Sequence, residues 1–216
     1  MTFTAAKLDS KVLVFIAVMA VLGNTLSMLS IGLANAGQIG LDLSHIATFI
    51  AAVYGGPYVG CLAGLLSGLF PGVYFGPMSG LAWLGLIGLP LGKALTGLTT
   101  GALCKLLKLN QRSRPSVLVV PLMLIGYIPE CLFTVLFFLT LVPHFFGWAS
   151  VGMLITILIK AWIEVGVMSV FMGALTGNSG FNTLITNVLT PHEVKYPSVF
   201  PIAQNSEKTN AWRKTI

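Results

Sequence analysis

Charge is what this chain has least of. Only 8% of its 216 residues are charged, and the acidic residues number six. An ordinary soluble domain carries about 25% charged residues to keep its surface hydrated. With 56% hydrophobic residues and a mean hydropathy of +0.90, this chain cannot cover a water-facing globule, and lipid must be the solvent for most of it. Cysteine is equally sparse. Cys61, Cys104 and Cys131 are odd in number and show no CxxC or Cys/His spacing, which argues against a disulfide framework and a zinc site. They read as small apolar side chains.

Catalytic signatures are missing as well. There is no P-loop glycine-lysine motif and no H-E-x-x-H, so neither a resident ATPase nor a zinc protease is indicated. Gly64-Leu65-Leu66-Ser67-Gly68 and Gly76-Pro77-Met78-Ser79-Gly80 lack the G-x-S-G spacing of rhomboid proteases. Nothing in the sequence calls for a cofactor, and the chain is not expected to be an enzyme.

The net charge of +6 has a placement that excludes a nucleic-acid surface. Lys7 and Lys11 precede the first apolar run, Lys105, Lys108, Arg112 and Arg114 form one loop, and Lys195, Lys208, Arg213 and Lys214 lie in the tail. Basic clusters between apolar spans are what the positive-inside rule describes. The first run, 12–34, ends at Ala34-Asn35-Ala36 like a signal-peptide cleavage site. At about 23 residues it exceeds the apolar core of a signal peptide and is long enough to span a bilayer, so a retained helix is expected.

Apolar runs at 12–34, 44–54, 59–70, 81–107, 116–142 and 152–175 give the expected fold: an all-α integral membrane bundle of six transmembrane helices. The second and third runs are short, and Gly55-Gly56-Pro57 separates them. Pro/Gly punctuation makes 71–80 a loop, Pro90 a kink, and 143–148 an aromatic connector near the interface. Six crossings put the three basic clusters on one side, with both termini cytoplasmic. Residues 1–175 then form the membrane domain, and 176–216 a polar, turn-rich cytoplasmic tail. Gly60, Gly64 and Gly68, with Gly97 and Gly101, repeat the G-x-x-x-G spacing of close helix contacts in lipid.

An ionisable side chain in hydrocarbon costs at least about 2.5–3.5 kcal/mol, so its presence implies a use. Six qualify: Asp42 and His45 at the outer end of the second run, Lys93, Glu130, Lys160 and Glu164. Lys160 and Glu164 are four apart and share a helix face, where they pair or bind ligand. Lys93 is expected either to pair with Glu130 across helices or to snorkel to the inner interface. Glu130 follows Pro129, whose missing N–H frees a carbonyl, and suits a ligand or relay position. Asp42 or Ser44 caps a helix start, leaving His45 toward the outer mouth. Tyr74, Phe75, Trp83 and Tyr127 supply aromatic surface there, together suited to a flat heterocyclic small molecule.

In its order of elements the chain resembles the S-components of energy-coupling factor (ECF) transporters. The carriers are 16–22 in the first run, Leu41-Asp42-Leu43-Ser44-His45-Ile46, residues 54–64, Gly92-Lys93-Ala94-Leu95 with Gly97, and Lys160 with Glu164. The resemblance implies a multi-pass plasma-membrane subunit that binds a vitamin-like substrate, riboflavin as the first candidate, from outside beneath loops 35–43 and 71–80. It also implies docking to a transmembrane coupling subunit through small residues of the first helix, here Ala17, Ala20 and Gly23. That helix departs from the family's A-x-x-x-A, since Val21 follows Ala17 by four. ATP hydrolysis would then sit on two partner ATPase subunits. A stand-alone proton-coupled carrier, with Glu130, Glu164 and His45 as relays, is the alternative.

Overall fold

A computed structural model describes residues 9–35, 42–78, 81–109, 115–147 and 151–189. The described residues are helical throughout, with no strand. The helices are α1 (Ser10–Asn35), α2 (His45–Gly55), α3 (Pro57–Ser67), α4 (Leu69–Val73), α5 (Ala82–Leu106), α6 (Pro115–Leu136), α7 (Val142–Phe146), α8 (Val151–Gly177) and α9 (Ser179–Leu189). π-helical turns, Tyr74–Met78 and Phe137–Leu141, extend α4 and α6.

Apolar and polar surfaces are inverted relative to a soluble protein. Ile155, Ile159, Ile163, Val167 and Val170 face outward on α8, while Glu164, Ser169 and Thr176 are buried on its inner face. A contiguous exposed apolar surface of this kind belongs against lipid. Five stretches are long and apolar enough to cross a membrane: Ser10–Ala34, Pro57–Met78, Ala82–Leu106, Ser116–Phe146 and Val151–Gly177. The chain is a multi-pass membrane protein.

The sixth expected span differs. α2 has 11 residues and is only about 16 Å long. Eight of those residues are buried, since α1, α3, α5 and α8 all pack on it. Its N-terminal end meets Lys93, Glu130 and Glu164, which lie near the middles of their spans. α2 is therefore a half-helix that starts at mid-depth, and Asp42 and His45 sit inside the bundle rather than at its outer end. Backbone at that depth must find protein partners for its N–H groups. Asp42 N–H donates to Glu164 Oε1 at 2.8 Å, Leu43 N–H to Ser30 Oγ at 3.4 Å, and Ser44 N–H to Asp42 Oδ1 at 3.1 Å.

The expected loop at 71–80 is helical as far as Met78, and the connector at 143–148 is helical through Phe146. Proline and glycine end helices readily in water. In hydrocarbon the freed backbone groups have no solvent, so the helix continues through local π adjustments and side-chain bridges. Asn24 of α1 provides such a bridge. Its Nδ2 donates to Leu66 O at 2.9 Å and its Oδ1 accepts from Phe70 N–H at 2.8 Å. A side chain thus spans the i→i−4 pair where the ladder breaks between α3 and α4.

The tightest contact is α3–α4 against α5, antiparallel. A Cβ on Gly60 would stand 2.6 Å from Gly97 O, one on Gly68 2.5 Å from Pro90 Cα, and one on Gly76 2.6 Å from Ala82 O. Gly64 faces the Lys93 carbonyl in the same row. The small-residue ridge therefore runs past Gly68 to Gly76, and backbone meets backbone along it.

Beyond Gly177 the expected turn-rich tail begins with a helix. Asn178 Oδ1 accepts from Phe181 N–H at 3.0 Å and caps α9. Ile185 of α9 is buried, Phe181 packs edge-on to Tyr54 at 5.9 Å, and Asn182 Nδ2 donates to Thr176 O. Because α9 packs on α1, α2 and α8, the start of α1 and the end of α8 share one side of the bundle. Lys7, Arg112, Arg114 and the basic residues beyond Leu189 lie outside the described residues, as do parts of connectors 35–43, 71–80, 105–115 and 143–149 and the tail after 189.

Candidate functional site

The half-helix start gathers the six ionisable groups singled out in the sequence into two adjacent clusters, one around Asp42 and one around His45. Asp42 Oδ2 pairs with Lys93 Nζ at 3.3 Å, and Asp42 Oδ1 accepts from Ser27 Oγ at 3.0 Å. Lys93 also donates to Ser44 Oγ and is almost fully buried, at 1% exposure. His45 Nε2 bridges both oxygens of Glu130, at 3.1 and 3.2 Å. Thr96 Oγ1 donates to Glu130 Oε2 at 2.5 Å. Glu164 joins through the Asp42 N–H.

Two expectations about Lys93 are therefore corrected. It neither snorkels to an interface nor takes Glu130 as its direct partner. Asp42, at mid-depth just before α2, is the partner of Lys93, and His45 occupies Glu130. The expected Lys160–Glu164 pair is present at 3.5 Å, with 54% of the Lys160 side chain exposed.

Above this network lies a cavity of about 430 Å³, within the range of small-molecule sites. It is built from the end of α1, the turn after α4, the first half of α5, the second half of α6 and the first half of α8, so it occupies the half of the bundle opposite the start of α1 and the end of α8. Its polar end holds Asp42, His45, Lys93, Glu130, Lys160 and Glu164, and its walls carry Tyr74, Phe75, Phe133, Phe137 and Phe138. Gly92 leaves room for the Glu130 carboxylate, since a Cβ there would come within 3.3 Å of it. Tyr127 lines the cavity at 3% exposure, with its ring edge-on to His45 and Trp162.

Of the sequence-selected residues, all but Trp83 line the cavity. Trp83 is half exposed and stacks edge-on with Phe145 at 4.9 Å, as an interfacial aromatic does. The small residues of α1 also divide. Ala17 faces outward, but Ala20 is buried, and a Cβ on Gly23 would collide with Ser67. The three do not form one outward surface, because Ala20 is buried and Ser67 of α3 stands against Gly23.

Thr96 and the phenylalanines at 133, 137 and 138 were missed in sequence. Thr96 lies three residues after Lys93 on a face otherwise made of Gly92, Gly97 and Thr100, which is a readable signal. Phe133 and Phe137 are four apart and Phe138 follows directly, but in sequence all three look like any lipid-facing aromatics. No family model matches the chain, and no curated protein or solved structure matches it. Among the described residues no group of three His, Cys, Asp or Glu is placed to hold a metal.

Proposed function

We propose that this chain is the membrane-embedded substrate-binding subunit of an ECF-type importer. It takes a small vitamin-like molecule from outside, with its chain ends in the cytoplasm of a cell whose plasma membrane it spans. The observation that carries the reading is the cavity itself: about 430 Å³, walled by aromatics, ending at mid-depth on charged groups and opposite the chain ends. A binding subunit needs such a pocket open to one side and no chemistry of its own. ATP hydrolysis and inward delivery would fall to a coupling subunit and two ATPases.

The buried His45–Glu130 pair, with Glu164 nearby, favours the rival reading of a proton-coupled carrier that needs no partner. The two separate cleanly. The chain would be purified in detergent from its host membrane, and the co-purifying small molecules and proteins identified by mass spectrometry. A stoichiometric small molecule together with ATPase subunits is the expected result. An empty protein that brings down no ATPase, and whose host's uptake collapses with the proton gradient, overturns the importer reading.

A further inference from the structure

The ionisable groups at the end of the cavity are not equivalent. Asp42 and Lys93 are closed on each other and on Ser27 and Ser44, while His45 and Glu130 are closed on each other and on Thr96. Removing one partner of a buried pair strands the other, so these groups hold the half-helix start in place. Three further groups that line the same cavity have hydrogen-bonding capacity to spare. Lys160 Nζ has one ionic contact, at 3.5 Å, beyond the usual reach of an N–H···O bond. Glu164 uses Oε1 for Asp42 N–H and Lys160, and its Oε2 has no partner among the described residues. The Tyr127 hydroxyl makes no hydrogen bond among the described residues, although the residue is only 3% exposed. A hydroxyl on a cavity wall with no protein partner is free to bond a ligand group.

We infer that Lys160, Glu164 and Tyr127 read a neutral donor–acceptor edge, an amide, ureido or lactam group, on a ligand whose flat apolar body lies against the cavity phenylalanines. The inference rests on the cavity being the small-molecule site of the proposed function. A carbonyl oxygen accepts from Lys160, an adjacent N–H donates to the free oxygen of Glu164, and the tyrosine hydroxyl supplies a third contact. The two charges sit one helical turn apart and neutralise each other. A ligand with a single full charge would match one and repel the other, while a zwitterion would have to desolvate two charges between aromatic walls. A neutral amide edge meets neither difficulty.

The test uses the full chain in detergent, freed of co-purifying compounds, and four probes of one shape: 2-naphthamide, 2-naphthoate, 2-naphthylmethylamine and 2-naphthylalanine. Binding is followed by tryptophan quenching and thermal shift. The amide is expected to bind at least about tenfold tighter than the others. In Lys160→Gln, whose lost side chain makes no other described contact, the preference should pass to the amine, because Glu164 is left unneutralised. Tyr127→Phe should weaken the amide about tenfold at unchanged melting temperature. Tightest binding of the acid, amine or zwitterion to the native chain, binding of none of the four, or an unchanged order in Lys160→Gln would each overturn the inference. Absence of ATPase partners would defeat the importer reading and leave this order untouched.

Discussion

At the scale of single residues, the molecule's polar chemistry is decided by which charge meets which. Lys93 is the clearest case, being an ammonium almost fully inside a membrane bundle whose nearest carboxylate, Asp42, is 3.3 Å away. Such a pair need not stabilise more than two apolar residues of the same volume, but breaking it is costly, by about 3–5 kcal/mol, because the survivor is left charged and unpaired. Lys93→Met is therefore expected to lower the melting temperature in detergent sharply. Lys93→Met combined with Asp42→Asn should recover most of the loss, and a double variant no better than the single would contradict the pairing. The sequence identified both residues as important yet could not pair them. Partner choice across helices depends on depth, and the sequence does not show that the short α2 starts at mid-depth. Lys160 and Glu164 were paired correctly because a spacing of four fixes their face without any tertiary knowledge.

Helices, as elements, were the most legible part of the sequence, since long apolar runs with few charges have one reading in lipid. Their ends were the least legible. Pro71, Gly72, Gly76 and Pro77 read as a loop by rules learned in water, yet the chain stays helical through them because no water is present to satisfy an opened backbone. The amphipathic α9 was missed for the opposite reason, as its serine, threonine and asparagine residues hid an apolar stripe. The glycine ridge was visible in part, and its partner surface became clear only in three dimensions. It makes a sharp prediction. A side chain at Gly97 would be driven into the backbone of Gly60 and Cys61, whereas one at Gly32 meets nothing within 4 Å. Gly97→Leu should abolish a folded, monodisperse peak on gel filtration in mild detergent, and Gly32→Leu should leave it intact. Equal tolerance at both sites would mean that α3 and α5 are not in backbone contact.

For the whole molecule, the decisive property is its polarity along the membrane normal. The half-helix α2 fills the half nearer the chain ends, through the contacts of Tyr54 with Phe181 and Asn182, and leaves the other half to the cavity. One side is thus closed by packed apolar residues and the cavity lies among aromatics on the other, which suits the single entrance that the proposed function needs. The prediction follows from where the two faces lie. In a background with Cys61, Cys104 and Cys131 changed to serine or alanine, a cysteine in place of exposed Phe145 sits on the side of the entrance. One in place of exposed Thr183 sits on the side of the ends. A membrane-impermeant thiol reagent added to intact cells should label position 145 and reach position 183 only after the cells are opened. Labelling of both from outside would deny that the chain separates them across a bilayer. The reverse pattern would turn the entrance toward the cytoplasm and contradict the proposed uptake from outside, because a pocket closed beneath α2 can receive a ligand only from the side on which it opens.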